Sequence, residues 1–124
     1  MLGKIFDIVS LYLSGERVNV NYLSESEPSY AVMSVGDAEL RKYLAGSALR
    51  QFTFDIWCIA PFGDDAKVNM SVIEKMRELL KKLEEYEDDS FAFFAIDTDS
   101  PPVLSHVGMS MAKYKMRMSV TYSV

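Results

Sequence analysis

The rest of the chain has to fold around residues 49–60, a stretch along most of which apolar and polar side chains alternate. One side carries Phe52, Phe54, Ile56, Cys58 and Ala60, and the other carries Gln51, Thr53, Asp55, Trp57 and Ile59. Alternation of this length, rich in aromatic and β-branched residues, is typical of a strand with one buried face. The second side becomes apolar at Trp57 and Ile59, so we expect a further segment to cover that end. The strand would span roughly 40 Å, and the other elements must pack against it.

Composition indicates one ordinary globular domain over residues 1–124. Hydrophobic residues make up 49% of the chain, and no apolar run is long enough for a membrane span. Asp7 interrupts the apolar N-terminus, and no small-residue cleavage site follows, which argues against a signal peptide. A net charge of −5 argues against a nucleic-acid partner, which normally requires a basic face. The single cysteine, Cys58, cannot form an internal disulfide, and we expect it to be buried in a cytosolic protein.

In the first half of the chain, the pattern predicts a helix over residues 2–13 and a strand over residues 17–23. A second strand over residues 30–35 is expected to form a hairpin with the first. Residues 37–46 are open to two interpretations: Asp37 can cap a short helix that ends at Gly46, or residues 40–44 form a strand that turns at residues 45–47 into the long strand. Local propensity mildly favours the helix.

In the second half, apolar residues spaced three and four apart predict a helix from Met70 to about Glu87. Ser71 with Glu74 has the capping-box spacing, and Asn69 is an alternative cap. Residues 91–96 are predicted to form a strand, 100–107 an irregular connection, and 113–124 a closing strand with unbroken alternation. Short turns favour antiparallel pairing. We therefore predict a two-layer α+β domain, with a mainly antiparallel sheet of four to six strands and two helices on one face.

Few residues suggest catalysis. Cys58 and the only histidine, His106, are too few for a zinc site, and a thiol in a buried strand should be inert. Asp97 and Asp99 are two positions apart after a strand and are able to hold Mg²⁺ or Ca²⁺. A turn in which these carboxylates accept bonds from nearby backbone amides is the favoured interpretation. Asp55, on the polar side of its strand, is expected to pair with an Arg or Lys of a neighbouring strand. We expect no cofactor, no metal and no enzymatic activity.

Residues 41–47 (RKYLAGS) and 50–54 (RQFTF) resemble tailed-phage proteins identified as minor capsid proteins. These proteins share a basic-aromatic stretch, Gly-Ser, and Gln-Phe-x-Phe at the start of a long strand. The resemblance continues through an amphipathic helix to residues 112–116 (AKYKM) and a closing strand with Tyr122. It covers residues 28–124 in element order, and its sharp part is about a dozen residues. It also implies the strand interpretation for residues 40–44.

The family is similar in size and layout to siphophage tail-terminator and head–tail joining proteins. The resemblance implies a structural subunit of the virion, assembled in the cytoplasm of the bacterial host. Its expected partners are other copies of itself in a hexameric ring, the tail tube and the head connector, with no membrane or nucleic acid involved. The resemblance itself supplies no contact positions. From the sequence alone, the candidate interface residues are Tyr30, Met33, Trp57, Met109, Met111, Lys115 and Arg117, and the first five could equally belong to the core.

Two alternatives to the virion subunit remain. One is a small acidic binding or regulatory module that uses the exposed sheet face. The other is a metal-dependent hydrolase that uses Asp97 and Asp99.

Overall fold

The computed structural model describes residues 1–25, 27–42, 48–63 and 65–123. It contains two helices, α1 (Leu2–Tyr12) and α2 (Ala66–Glu84), and five strands in one sheet. The strands are β1 (Val18–Val20), β2 (Ser29–Lys42), β3 (Ala48–Pro61), β4 (Phe93–Val107) and β5 (Met111–Ser123). Their order across the sheet is β1-β2-β3-β5-β4. The predicted two-layer α+β fold, with a mainly antiparallel sheet, is confirmed.

The alternation in β3 predicts its burial. Phe52, Phe54, Ile56, Cys58 and Ala60 are all buried, together with the matching side of β5. Ile5 and Val9 of α1 and Met76, Leu79 and Leu83 of α2 belong to the same core. Both helices therefore cover this side of the sheet, which we call the helix face, and the opposite side is the open face.

The predicted hairpin between the first two strands is wrong. β1 has only three residues and pairs with β2 in parallel, with Val18 opposite Tyr30. Asn21 follows β1 with a positive φ of 51°, which ends the extended conformation. Because β2 begins again beside the start of β1, the connecting residues must return along the sheet. Glu25 Oε1 lies 3.9 Å from Nζ of Lys113, whose register partner Ile59 is buried. This connection therefore passes the apolar end of the open face.

Residues 37–42 belong to strand β2, so the strand interpretation is confirmed for residues 40–42, and the alternative of a short helix capped by Asp37 is wrong there. The remainder of that prediction, residues 43–46, lies outside the described residues. β2 pairs antiparallel with β3 along its whole length, with register shifts at Val35 and Leu40. Long-range pairing with β3 therefore overrides the mild helical propensity of the segment.

Three further sequence predictions need correction. Residues 100–107 continue β4 and are not an irregular connection; the strand tolerates Pro101 and Pro102 because it is an edge strand with register shifts. Helix α2 begins earlier than predicted, and its cap is Asp65, whose carboxylate accepts a bond of 2.9 Å from the Lys67 amide. Ser71 lies inside the helix and instead donates to the Val68 carbonyl.

Candidate interaction surface

An ion pair crosses the middle of the open face. Asp55 and Arg117 are register partners on β3 and β5. Arg117 donates from Nε to Oδ1 of Asp55 at 2.8 Å and from a terminal nitrogen to Oδ2 at 3.1 Å. The predicted pairing of Asp55 with a neighbouring cation is therefore confirmed. The carboxylate is almost buried whereas the guanidinium is 41% exposed, and the bonds raise the pKa of Arg117.

Two residues along each strand from this pair, Lys115 lies over the ring of Trp57, with Nζ 5.4 Å from the ring centroid. Both side chains are half-buried, as is Met33 on the adjacent part of β2. A cation over an indole is a favourable arrangement that still leaves aromatic surface accessible. Four of the candidate interface residues, Met33, Trp57, Lys115 and Arg117, therefore lie together on the open face.

The other three candidate interface residues lie apart from these four, and only Met111 among them is on the same side of β5 as Lys115. Tyr30 is on the helix face and only 6% exposed, which leaves it little surface for a partner. Met109 is fully exposed in the β4–β5 turn. Met111 is half-buried at the start of β5 and lines a small cavity with Met109 and His106.

The two aspartates considered as metal ligands are both in strand β4. Asp99 accepts a bond of 2.6 Å from the Ser119 hydroxyl, and Thr53 lies 3.2 Å from that same hydroxyl. The turn in which backbone amides satisfy these carboxylates is therefore wrong, since Asp99 instead bonds a side chain of β5. In the described part of the chain, no group of three or more Asp, Glu, His or Cys residues is placed to hold a metal.

The Cys58 thiol lies in the core opposite Tyr30. Burial raises the pKa of Cys58 to about 11, and burial likewise raises the pKa of Tyr30. His106 is on β4, where its register partner is Lys113. A protonated, buried thiol is a weak nucleophile, so this geometry offers no chemistry at Cys58.

The two outer edges of the sheet carry exposed residues that were not predicted from the sequence. Every residue from 34 to 42 of β2 is exposed, including the apolar Val35 and Leu40 at the two register shifts. At the opposite edge, Phe93 at the start of β4 is half exposed. Sequence periodicity reports which face a side chain occupies and contains no information on which strands lie outermost.

Comparisons with known proteins identify the fold alone. No family model matches the chain, and no curated protein matches it. A solved structure, of a protein designated only by a sequence identifier, superposes on 97% of this chain and 88% of its own with a TM-score of 0.57 at 11% identity. Among the described residues, neither helix is long and apolar enough to cross a membrane. The chain thus has the backbone architecture of that protein, and its function has to be argued from its own surface.

Proposed function

We propose that this protein is a structural subunit of a phage or prophage virion, most specifically a tail-terminator or tail-completion subunit. It would form a ring at the head–tail junction with other copies of itself and contact the tail-tube and head-connector proteins. It would assemble in the bacterial cytoplasm and remain in the virion. Support comes from the sequence resemblance and from the position of the matching residues in the fold.

The observation that carries the proposal is that, among the described residues of the sharp resemblance, the charged and polar ones reach the surface, whereas Phe52 and Phe54 lie in the core. Arg41 and Lys42 are exposed at the end of β2, and Arg50 and Gln51 are half-buried at the start of β3. Residues that serve only the core would be buried, whereas these are available to a partner. A stretch that stands out in the sequence while contributing to the surface is more consistent with binding than with packing.

The available area is sufficient for a ring. The chain has 7323 Å² of accessible surface, and a ring subunit needs two different patches of roughly 800 Å² each for standard interfaces. The two patches would occupy roughly a fifth of the surface. The two edges and the open face are separate regions that can supply them.

Sedimentation velocity of the purified chain, alone and with the tail-tube protein from the same genome, tests the proposal. We expect a species of defined stoichiometry whose fraction rises with protein concentration or on addition of the tube protein. An unrelated tail-tube protein is the matched control and should have no effect. A chain that stays monomeric at high concentration with its own tube protein would refute the proposal.

The acidic binding module remains as a second candidate because of the Trp57–Lys115 stack. The chain has one tryptophan, so its fluorescence reports directly on the open face. A partner that binds this face should change the emission of Trp57 without forming a ring. A change in Trp57 emission that saturates at one partner per chain would favour this second candidate over the virion subunit.

A further inference from the structure

The outer edges of the sheet, on β2 and on β4, are each protected from further strand pairing along one half and unprotected along the other half. On β2, strand β1 covers only Tyr30, Ala31 and Val32, and the Asn21 side chain then accepts the Ser34 amide at 2.8 Å. Beyond that point, none of the described strands pairs with the outer edge of residues 36–42. On β4, Pro101 and Pro102 and the register shifts protect the half towards Val107. Residues 93–97 pair regularly with β5, and no described strand lies outside them.

The open halves lie at the same level of the sheet. One row runs Ala38, Gln51, Thr121, Ala95, and another runs Arg41, Leu49, Ser123, Phe93. Three successive antiparallel pairings make β2 and β4 run in opposite directions. A rotation about an axis parallel to the strands therefore brings β2 of one copy beside β4 of the next, antiparallel and without a shift in level.

We propose that copies of this chain associate head to tail through these edges, with residues 36–41 of β2 pairing with residues 93–97 of β4 in the neighbouring copy. This inference rests on the proposed ring function and names the surfaces that would form the ring. When residues of the same row lie opposite each other across the joint, Gly36 meets Asp97 and Ala38 meets Ala95. No two bulky side chains therefore face each other on the open face. Leu40 and Phe93, each about half exposed in the single chain, come to the same end of the joint.

Pairing of β2 with β2 of a second copy is the main competing arrangement. An antiparallel β2–β2 pair centred on Ala38 places Asp37 of one copy opposite Glu39 of the other, and like charges directly opposite are unfavourable. It also leaves the open half of β4 unpaired. In the head-to-tail joint, Asp37 meets Ile96 and Glu39 meets Phe94, so no like charges face each other.

Cross-linking with a short bis-maleimide tests the arrangement in the full-length chain. Ala38→Cys and Ala95→Cys are made separately and mixed at a concentration at which light scattering shows self-association. The control is Ala38→Cys mixed with Val103→Cys, since Val103 is exposed on the same face of β4 but in the blocked half. Native Cys58 is buried, and the wild-type chain measures its background.

We expect the first mixture to give about tenfold more cross-linked heterodimer than the control, since paired sites meet at a high effective concentration. Equal yields in the two mixtures, while scattering still shows association, would overturn the edge joint and leave the ring function intact. Predominant cross-linking of Ala38→Cys to itself would establish the β2–β2 arrangement instead. A wild-type chain that never associates, alone or with its tube protein, would refute both the ring function and this joint.

Discussion

Replacing either partner of the Asp55–Arg117 pair should lower stability, by an amount that depends on which partner is buried. The Asp55 side chain is 8% exposed and the Arg117 side chain 41%. Removing Arg117 leaves a carboxylate with few routes to water, whereas neutralising Asp55 leaves a guanidinium that water can reach. Arg117→Met should therefore destabilise the protein more than Asp55→Asn does.

The magnitudes follow from that asymmetry. Breaking a fully buried pair costs about 3–5 kcal/mol, and partial exposure of the arginine reduces this through solvent screening. We expect about 2 kcal/mol for Arg117→Met and about 1 kcal/mol for Asp55→Asn, where a neutral amide replaces the charge. For a chain of 124 residues, each kcal/mol corresponds to about 4 °C in Tm.

The double variant is the decisive measurement. Adding Asp55→Asn to Arg117→Met removes the unpaired buried charge, so it should recover about 1 kcal/mol in urea unfolding at pH 7. Arg50→Met is a matched control, because its pair with Asp37 is 3.5 Å long and about 40% exposed on both sides; it should cost less than about 0.5 kcal/mol. A double variant less stable than Arg117→Met alone would refute the reasoning.

Three further predictions concern single side chains. Native Cys58 should react with a maleimide at pH 8 at least about 100-fold more slowly than it does in the unfolded chain, because its pKa of about 11 leaves little thiolate. Rapid labelling of the native protein would show that the helix face opens. Asp99→Ala should lower the free energy of unfolding in denaturant by about 1 kcal/mol, because Asp99 accepts the hydrogen bond from a buried hydroxyl. Asp97→Ala, at an exposed position, should change stability little. Equal losses for the two variants, or saturable stabilisation by Mg²⁺ or Ca²⁺, would contradict this assignment. The bond from Lys4 holds the pKa of Asp88 well below its usual range, so its contribution to stability is complete above the unfolded-chain pKa of about 3.9 and is lost as pH falls below it. Thermal unfolding should therefore show the difference between wild type and Asp88→Asn shrinking as pH falls from about 4 to about 2, and a constant difference over that range would rule out this linkage.

Several parts of the fold were predictable from the sequence because they depend on local periodicity. The alternation at residues 49–60 and 113–123 indicated which side chains of β3 and β5 enter the core. The three-and-four spacing after residue 70 indicated the buried side of α2. Asp55 on the polar side of a long strand also indicated a cationic partner. Each of these inferences needs only the repeat of the element and the free energy of burying apolar surface.

Which strands pair and which edges remain open depends on contacts between segments that are distant in sequence. The parallel β1–β2 pair and the strand conformation of residues 37–42 both depend on partners distant in sequence. The same is true of residues 100–107, where pairing with β5 extends a strand through two prolines at an edge. Strand conformation is stabilised by neighbours that a local window does not contain. For that reason the faces of this sheet could be predicted from local sequence, whereas the order of its strands and the position of its open edges depend on long-range pairing in three dimensions.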